Sequence, residues 1–401
     1  MEYQLPEPFA RTGLGADEVP PRVFGSPLRY VQADGIIDRA GNFLQRLGYT
    51  RPAVLLSARS RAAEGGRLLA SLEQAGLAAT SAAFKGECSL AEIRAHVATL
   101  DALDPRPDVL VAVGGGKVVD AGRAMAHRLG IPFVAAPSLA SNDSPTAAVS
   151  VIYTPEGVTE SAEIYDRNPV LVLLDTGVIA TAGERFLVAG MGDALATCYE
   201  AQACVQSGQG ITVFGGRPTL AGTALAELAA DTIFAHGREA QDAVRAGQVN
   251  EALERVVEAN TLLSGLGYEN GGLAAAHAFA QAYTVIPRVH HNYLHGEMVA
   301  LGTLTQLVLE SRMDEAEKLA RFFSGIGLPI KLAQLDLSRD DNGELATIVD
   351  AALAFPFIGN MPCETTPERL RAALIHTDEL GCLITDQYGA EAYRRIHQLQ
   401  A

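Results

Sequence analysis

From Tyr30 onward, short apolar runs rich in β-branched residues alternate with stretches whose apolar positions recur at helical spacing, the signature of repeated βαβ units. The runs predict strands over 53–56, 78–84, 108–113, 131–135, 148–153 and 170–174, gathered in one parallel sheet. The intervening periodicity predicts helices over 35–47, 62–75, 89–99 and 117–129, several of them ending at a glycine suited to a C-cap. After Asp175 the strand signal fades, and residues 183–401 are amphipathic and Ala-rich, with helical runs over 194–207, 219–236, 250–265 and 298–312. The expected fold class is therefore an α/β N-terminal domain with a parallel Rossmann-like sheet (26–178), followed by an all-α C-terminal domain (179–401). A proline-bearing, irregular arm over 1–25 precedes them. The junction of two such domains is a common place for a ligand cleft.

Composition narrows the function classes. A chain of 401 residues with 48% hydrophobic and 19% charged residues can bury a large core, which excludes a disordered or fibrous chain. The 31 Lys and Arg against 47 Asp and Glu leave a formal charge of −16, which excludes a protein spread over nucleic acid or anionic lipid. A local basic pocket for a small anion remains compatible with that balance. No run approaches the roughly 20 apolar residues that a membrane-spanning helix needs. The first residues lack a positive segment followed by an apolar one, and the five cysteines are scattered with no C-x-x-C spacing, so a reduced, cytoplasmic protein is expected.

The strand expected at 108–113 runs into Gly114-Gly115-Gly116-Lys117-Val-Val-Asp120 and then a helix. Successive glycines let a backbone approach a pyrophosphate, and the helix start offers free N–H donors; the alternative is a tight βα turn serving geometry alone. The next strand ends in Pro137-Ser138-Leu-Ala-Ser141-Asn-Asp143-Ser-Pro145, at the edge where parallel sheets bind ligands. Asp143 could orient a substrate hydroxyl there, or close an Asx-turn.

In the helical half, Asp193, His277 and His295 offer two imidazoles and one carboxylate, a first shell suited to Zn²⁺ with a fourth position left for water or substrate. Pro287 keeps His277 and His295 off a single helix, so separate elements must bring them together. Singly, Asp193 could be a helix N-cap, His277 a core histidine, and the His290, His291 and His295 group a polar loop. Glu297 could orient His295 or simply start a helix. His290 and His291 are candidate proton relays.

Taken together, these segments resemble the iron-type alcohol dehydrogenase superfamily, and most closely its glycerol dehydrogenase branch. The matching stretches are Gly114 to Asp120, Pro137 to Thr146, Ser150 to Tyr153, Gly192 to Thr197, Glu258 to Gly267, Gly271 to His277 and His295 to Glu297, in family order. The resemblance implies a nucleotide-binding α/β domain, a helical domain and a metal in the cleft between them. It makes Asp193, His277 and His295 the zinc ligands, and gives catalytic roles to Asp143, as a substrate contact, and to His277. It assigns Gly114, Gly115, Gly116, Lys117, Asp120, Ser138, Ser141, Val149 and Tyr153 to a nicotinamide cofactor, NAD or NADP. Iron-using members carry a histidine four residues after the ligand Asp; Thr197 stands there, which favours zinc. Where the glycerol enzymes end a strand with an acidic residue, this chain has Ser57, Arg59 and Arg61, which favours NADP. Ala280-Gln281 and Gly359-Asn360 replace His-Asn pairs and separate the substrate from glycerol itself. The implied activity is a zinc-dependent, NAD(P)-linked dehydrogenase acting reversibly on a small polyol, hydroxyketone or aldehyde, in a homo-oligomer. The alternative is a metal- and NAD-dependent cyclase of the dehydroquinate synthase type, whose Gly-Gly-Lys-Thr-like segment is replaced here by Ser144-Pro-Thr-Ala-Ala.

Overall fold

Strands β4 (Val109–Gly114) and β5 (Phe133–Pro137) are buried along their whole length, as the central strands of a sheet covered on both faces must be. In the computed structural model, which describes residues 9–15 and 18–398, they form the middle of a six-stranded sheet. With β1 (Tyr30–Ala33), β2 (Pro52–Ser57), β3 (Thr80–Phe84) and β8 (Leu171–Asp175), the order is β1-β8-β5-β4-β2-β3, parallel throughout. The β4/β5 register pairs Gly114 with Pro137, so the glycine turn and the loop that follows β5 leave the sheet side by side.

One strand expected in this sheet lies elsewhere. Strand β6 (Val149–Tyr153) pairs antiparallel with β7 (Thr159–Ile164) in a separate two-stranded hairpin. The few residues joining them allow a hairpin, whereas parallel neighbours need a crossover of roughly a dozen residues or more. The edge position of the sheet goes instead to β1, which the apolar pattern does not reveal.

The helices follow the periodicity with sharper ends. Ser89 caps Leu90–Asp101 through its hydroxyl, Thr219 caps Leu220–Arg245 and Asn250 caps Glu251–Glu258. The last of these continues through a π turn, Ala259–Leu263, into Ser264–Gly271. Pro287 occupies the first turn of Pro287–Asn292, which separates Ala275–Tyr283 from His295–Leu309. The sheet and the helical part touch closely: a Cβ at Gly190, in helix Glu184–Gln206, would lie 2.0 Å from the Ala140 carbonyl oxygen in the loop after β5. Described residues of the N-terminal arm lie against residues 212–217, with Ala10 N–H donating to Phe214 O and Arg217 N–H to Pro21 O. Among the described residues, no helix is long and apolar enough to cross a membrane.

Candidate active site and metal centre

Asp193 sits in the middle of helix Glu184–Gln206 and is wholly buried, which removes the N-cap alternative. His277 lies in the first turn of Ala275–Tyr283, and His295 opens His295–Leu309. The fold brings all three together. Asp193 Oδ1 is 3.5 Å from His277 Nε2 and 3.4 Å from His295 Nε2, and the three candidate ligand atoms lie within 4.8 Å of one another. Oδ1 is buried and has no hydrogen-bond partner among the described residues, although two imidazole nitrogens face it. A buried carboxylate oxygen left without a donor is costly, and a cation between it and the two imidazoles removes that cost. The donor set, two nitrogens and one oxygen, fits zinc.

Glu200, two turns after Asp193 on the same helix, completes the arrangement. Its Oε1 accepts the backbone N–H groups of Ala274 (2.8 Å) and His277 (2.9 Å), and its Oε2 lies 2.5 Å from His277 Nδ1. A carboxylate only accepts, so Nδ1 carries a proton toward Glu200, and Nε2 is the nitrogen a metal would take in place of a proton. Burial disfavours charge on His277, but Glu200 and Asp193 outweigh it and hold the imidazole well above its ordinary range. Burial likewise raises the Asp193 carboxyl, yet the imidazoles of His295 and His277 bring it below the usual carboxylate range. Nothing in the reading of the sequence pointed to Glu200; the signal was an acidic residue in register with Asp193 along one helical stripe.

Asp143 lies beside this group. Its backbone N–H donates to Asp193 Oδ2 at 3.3 Å, and its Oδ2 accepts the Ser264 hydroxyl at 2.8 Å. Burial, reinforced by the negative charge of Asp193, pushes its carboxyl well above the ordinary range.

On the sheet side, Gly115 is the extended residue before helix Gly116–Leu129. A Cβ at Gly116 would meet Asn142 Nδ2 at 2.9 Å, and one at Gly115 would meet Leu139 at 3.1 Å, so the turn and the neighbouring loop leave no room for side chains. Ser138 and Ser141 are half-buried on that loop, and Ser138 N–H donates to Gly114 O. The turn thus leads, close against the loop after β5, into a helix N-terminus, where free backbone N–H groups gather.

A family model described as "Iron-containing alcohol dehydrogenase" matches residues 27–176. A glycerol dehydrogenase from Escherichia coli O6:H1 is 43% identical over 378 residues, covering 92% of this chain and 97% of its own. The chain belongs to the iron-containing alcohol dehydrogenase family. It is an oxidoreductase acting on CH–OH groups, of the glycerol dehydrogenase-like kind. A glycolaldehyde reductase from Halobacterium salinarum is 40% identical over 367 residues, covering 91% of this chain and 99% of its own. The crystal structure of glycerol dehydrogenase from Schizosaccharomyces pombe superposes with a TM-score of 0.86 at 36% identity, covering 92% of this chain and 93% of that one.

The remaining candidates of this alcohol dehydrogenase divide by where they face. Ser57 ends β2 and caps the short helix Ala58–Ala62, accepting Ser60 N–H. Arg59 is exposed and makes no hydrogen bond or ion pair with the described residues, while Arg61 donates to Ser81 Oγ. Lys117 is ion-paired with Glu87 at 2.8 Å and lies over the Tyr153 ring. Asp120 is buried in a network with Arg123, Ser144 and the Val151 N–H, and the Val149 carbonyl accepts from the same Arg123. His290 bonds the Gly157 carbonyl and His291 the Pro287 carbonyl, which commits both rings to backbone. Glu297 is turned away from His295: it pairs with Arg185 at 2.7 Å, accepts Leu294 N–H at its helix start and meets His397. Asn360 is buried and ties Ile211 to Leu273. In helix Ala275–Tyr283 only His277 and Gln281 are not buried, which places Gln281 one turn beyond the ligand on the same face.

Proposed function

We propose that this chain is a zinc-dependent, NAD(P)-linked polyol dehydrogenase that interconverts a small vicinal diol and the corresponding hydroxyketone or hydroxyaldehyde. The observation that carries the reading is the orphaned Asp193 Oδ1 facing two imidazole nitrogens. Three protein ligands suit zinc with an open position, and Thr197, one turn after Asp193, is engaged with Ser264 rather than with the metal position. When bound, the zinc supplies Lewis-acid polarisation of the substrate oxygen.

The chain's own residues do the rest. Glu200 fixes the His277 tautomer, and Asp143 accepts a second substrate hydroxyl. The turn at Gly114, Gly115 and Gly116 would hold the cofactor pyrophosphate, and Ser138 and Ser141 would line the nicotinamide side. When bound, the cofactor would supply hydride-transfer chemistry at the carbinol carbon. Arg59, in the short helix after β2 and without a hydrogen-bond or ion-pair partner among the described residues, supports NADP(H) as the preferred cofactor, since a 2′-phosphate would pair with it. The glycerol dehydrogenase and glycolaldehyde reductase among the relatives support a small polyhydroxylated substrate. The test is steady-state turnover with NAD and with NADP over a panel of polyols, hydroxyketones and aldehydes. Turnover of vicinal diols with NADP preferred is expected; absence of turnover with either cofactor contradicts the reading.

A further inference from the structure

Thr197 follows Asp193 by one helical turn and is fully buried. Its Oγ1 lies 2.9 Å from Ser264 Oγ, which in turn donates to Asp143 Oδ2 at 2.8 Å. Ser264 has a single proton and spends it on Asp143 Oδ2, so the Thr197 hydroxyl donates to Ser264 at 2.9 Å, in preference to the more distant Asp193 carbonyl oxygen at 3.5 Å. The result is a directed chain, Thr197 to Ser264 to Asp143. It clamps one oxygen of the Asp143 carboxylate. The other, Oδ1, makes no hydrogen bond with the described residues.

The backbone is shaped for this contact. Ser264 comes directly after the π turn Ala259–Leu263, a feature that re-aims the side chains beyond it and concentrates at functional sites. Within the same turn Asn260 donates to Ala140 O in the loop carrying Asp143 and to Leu187 O in the helix carrying Asp193. A Cβ at Gly265 would lie 1.9 Å from Thr146 Oγ1 and 3.0 Å from Asp143 O, so the helix presses directly on the Asp143 loop.

We propose that Ser264, backed by Thr197, is a positioning residue that presents Asp143 Oδ1 to the hydroxyl adjacent to the one being oxidised, and so makes the enzyme selective for vicinal diols over monohydric alcohols. The proposal rests on the polyol dehydrogenase reading above. The test compares S264A, T197V and T197S, as zinc-loaded holoenzymes, on propane-1,2-diol and propan-2-ol. In S264A the kcat/KM for the diol is expected to fall about tenfold further than that for the monohydric alcohol, chiefly through KM, the scale set by losing one buried hydrogen bond. T197V should shift the ratio in the same direction by a smaller factor, and T197S, which keeps the hydroxyl, should restore it. Equal losses on both substrates, or an unchanged ratio in both S264A and T197V, overturn the proposal. If the wild type oxidises neither alcohol, the polyol reading fails, and crystal structures decide the positioning role separately. A displacement of the Asp143 carboxylate by about 1 Å in S264A supports it, and an unmoved carboxylate overturns it.

Discussion

Replacing Glu200 by glutamine keeps size and shape but removes the one property the site uses, acceptance at both oxygens. Glu200 is wholly buried and serves three donors: the Ala274 and His277 N–H groups at Oε1 and His277 Nδ1 at Oε2. A glutamine that keeps its oxygen on the two backbone donors turns its NH₂ toward Nδ1. That forces the proton to Nε2, the nitrogen that must be free for a metal. The flipped amide faces its NH₂ toward the two N–H groups instead, each costing about 1–3 kcal/mol if left unsatisfied. Either way the metal affinity should fall by roughly 10- to 100-fold, about 1.4–2.7 kcal/mol. Competition between the protein and a chromophoric zinc chelator measures this directly. A zinc affinity for E200Q within about threefold of the wild type would refute the reasoning.

Other consequences are equally checkable. H277A should lose both retained zinc and turnover, read by metal analysis and cofactor absorbance; a variant that keeps both removes His277 from the site. R59A should lower kcat/KM with NADP by at least about tenfold while leaving NAD nearly unaffected, and equal effects on the two cofactors contradict the 2′-phosphate assignment. Burial pushes the Glu269 carboxyl up to about 7. Because the folded protein then holds a proton that the unfolded chain gives up near 4.5, this group's contribution to stability falls as pH rises from about 4.5 to 7 and levels off above, by about 3 kcal/mol at most. E269Q should flatten that part of the profile in denaturant titrations between pH 5 and 8; an unaltered slope contradicts the assignment.

The hydrophobic pattern exposed most of the fold because the central strands are covered on both faces and read as continuous apolar runs. It failed at the sheet edge and at the hairpin. The four residues of β1 are all half-buried, and β7, Thr-Glu-Ser-Ala-Glu-Ile, is too polar to stand out. The candidate ligand trio was legible because Asp and His in that combination are chemically distinctive, and the fold brings the three side chains together. Their partners were not, since Glu200, Ser264 and Thr197 are ordinary polar residues in helical sequence, and their roles exist only once three helices and the loop after β5 meet. The same holds for Glu87, whose pairing with Lys117 thirty positions away exists only in the fold.

On the proposed reading a zinc ion is held by Asp193, His277 and His295. Anomalous diffraction at the zinc and iron edges, from crystals of the purified wild-type protein and of D193N, tests it most directly. One zinc peak per chain among these three side chains is expected in the wild type and none in D193N. An iron signal at that position, or a zinc peak that survives D193N in place, contradicts it.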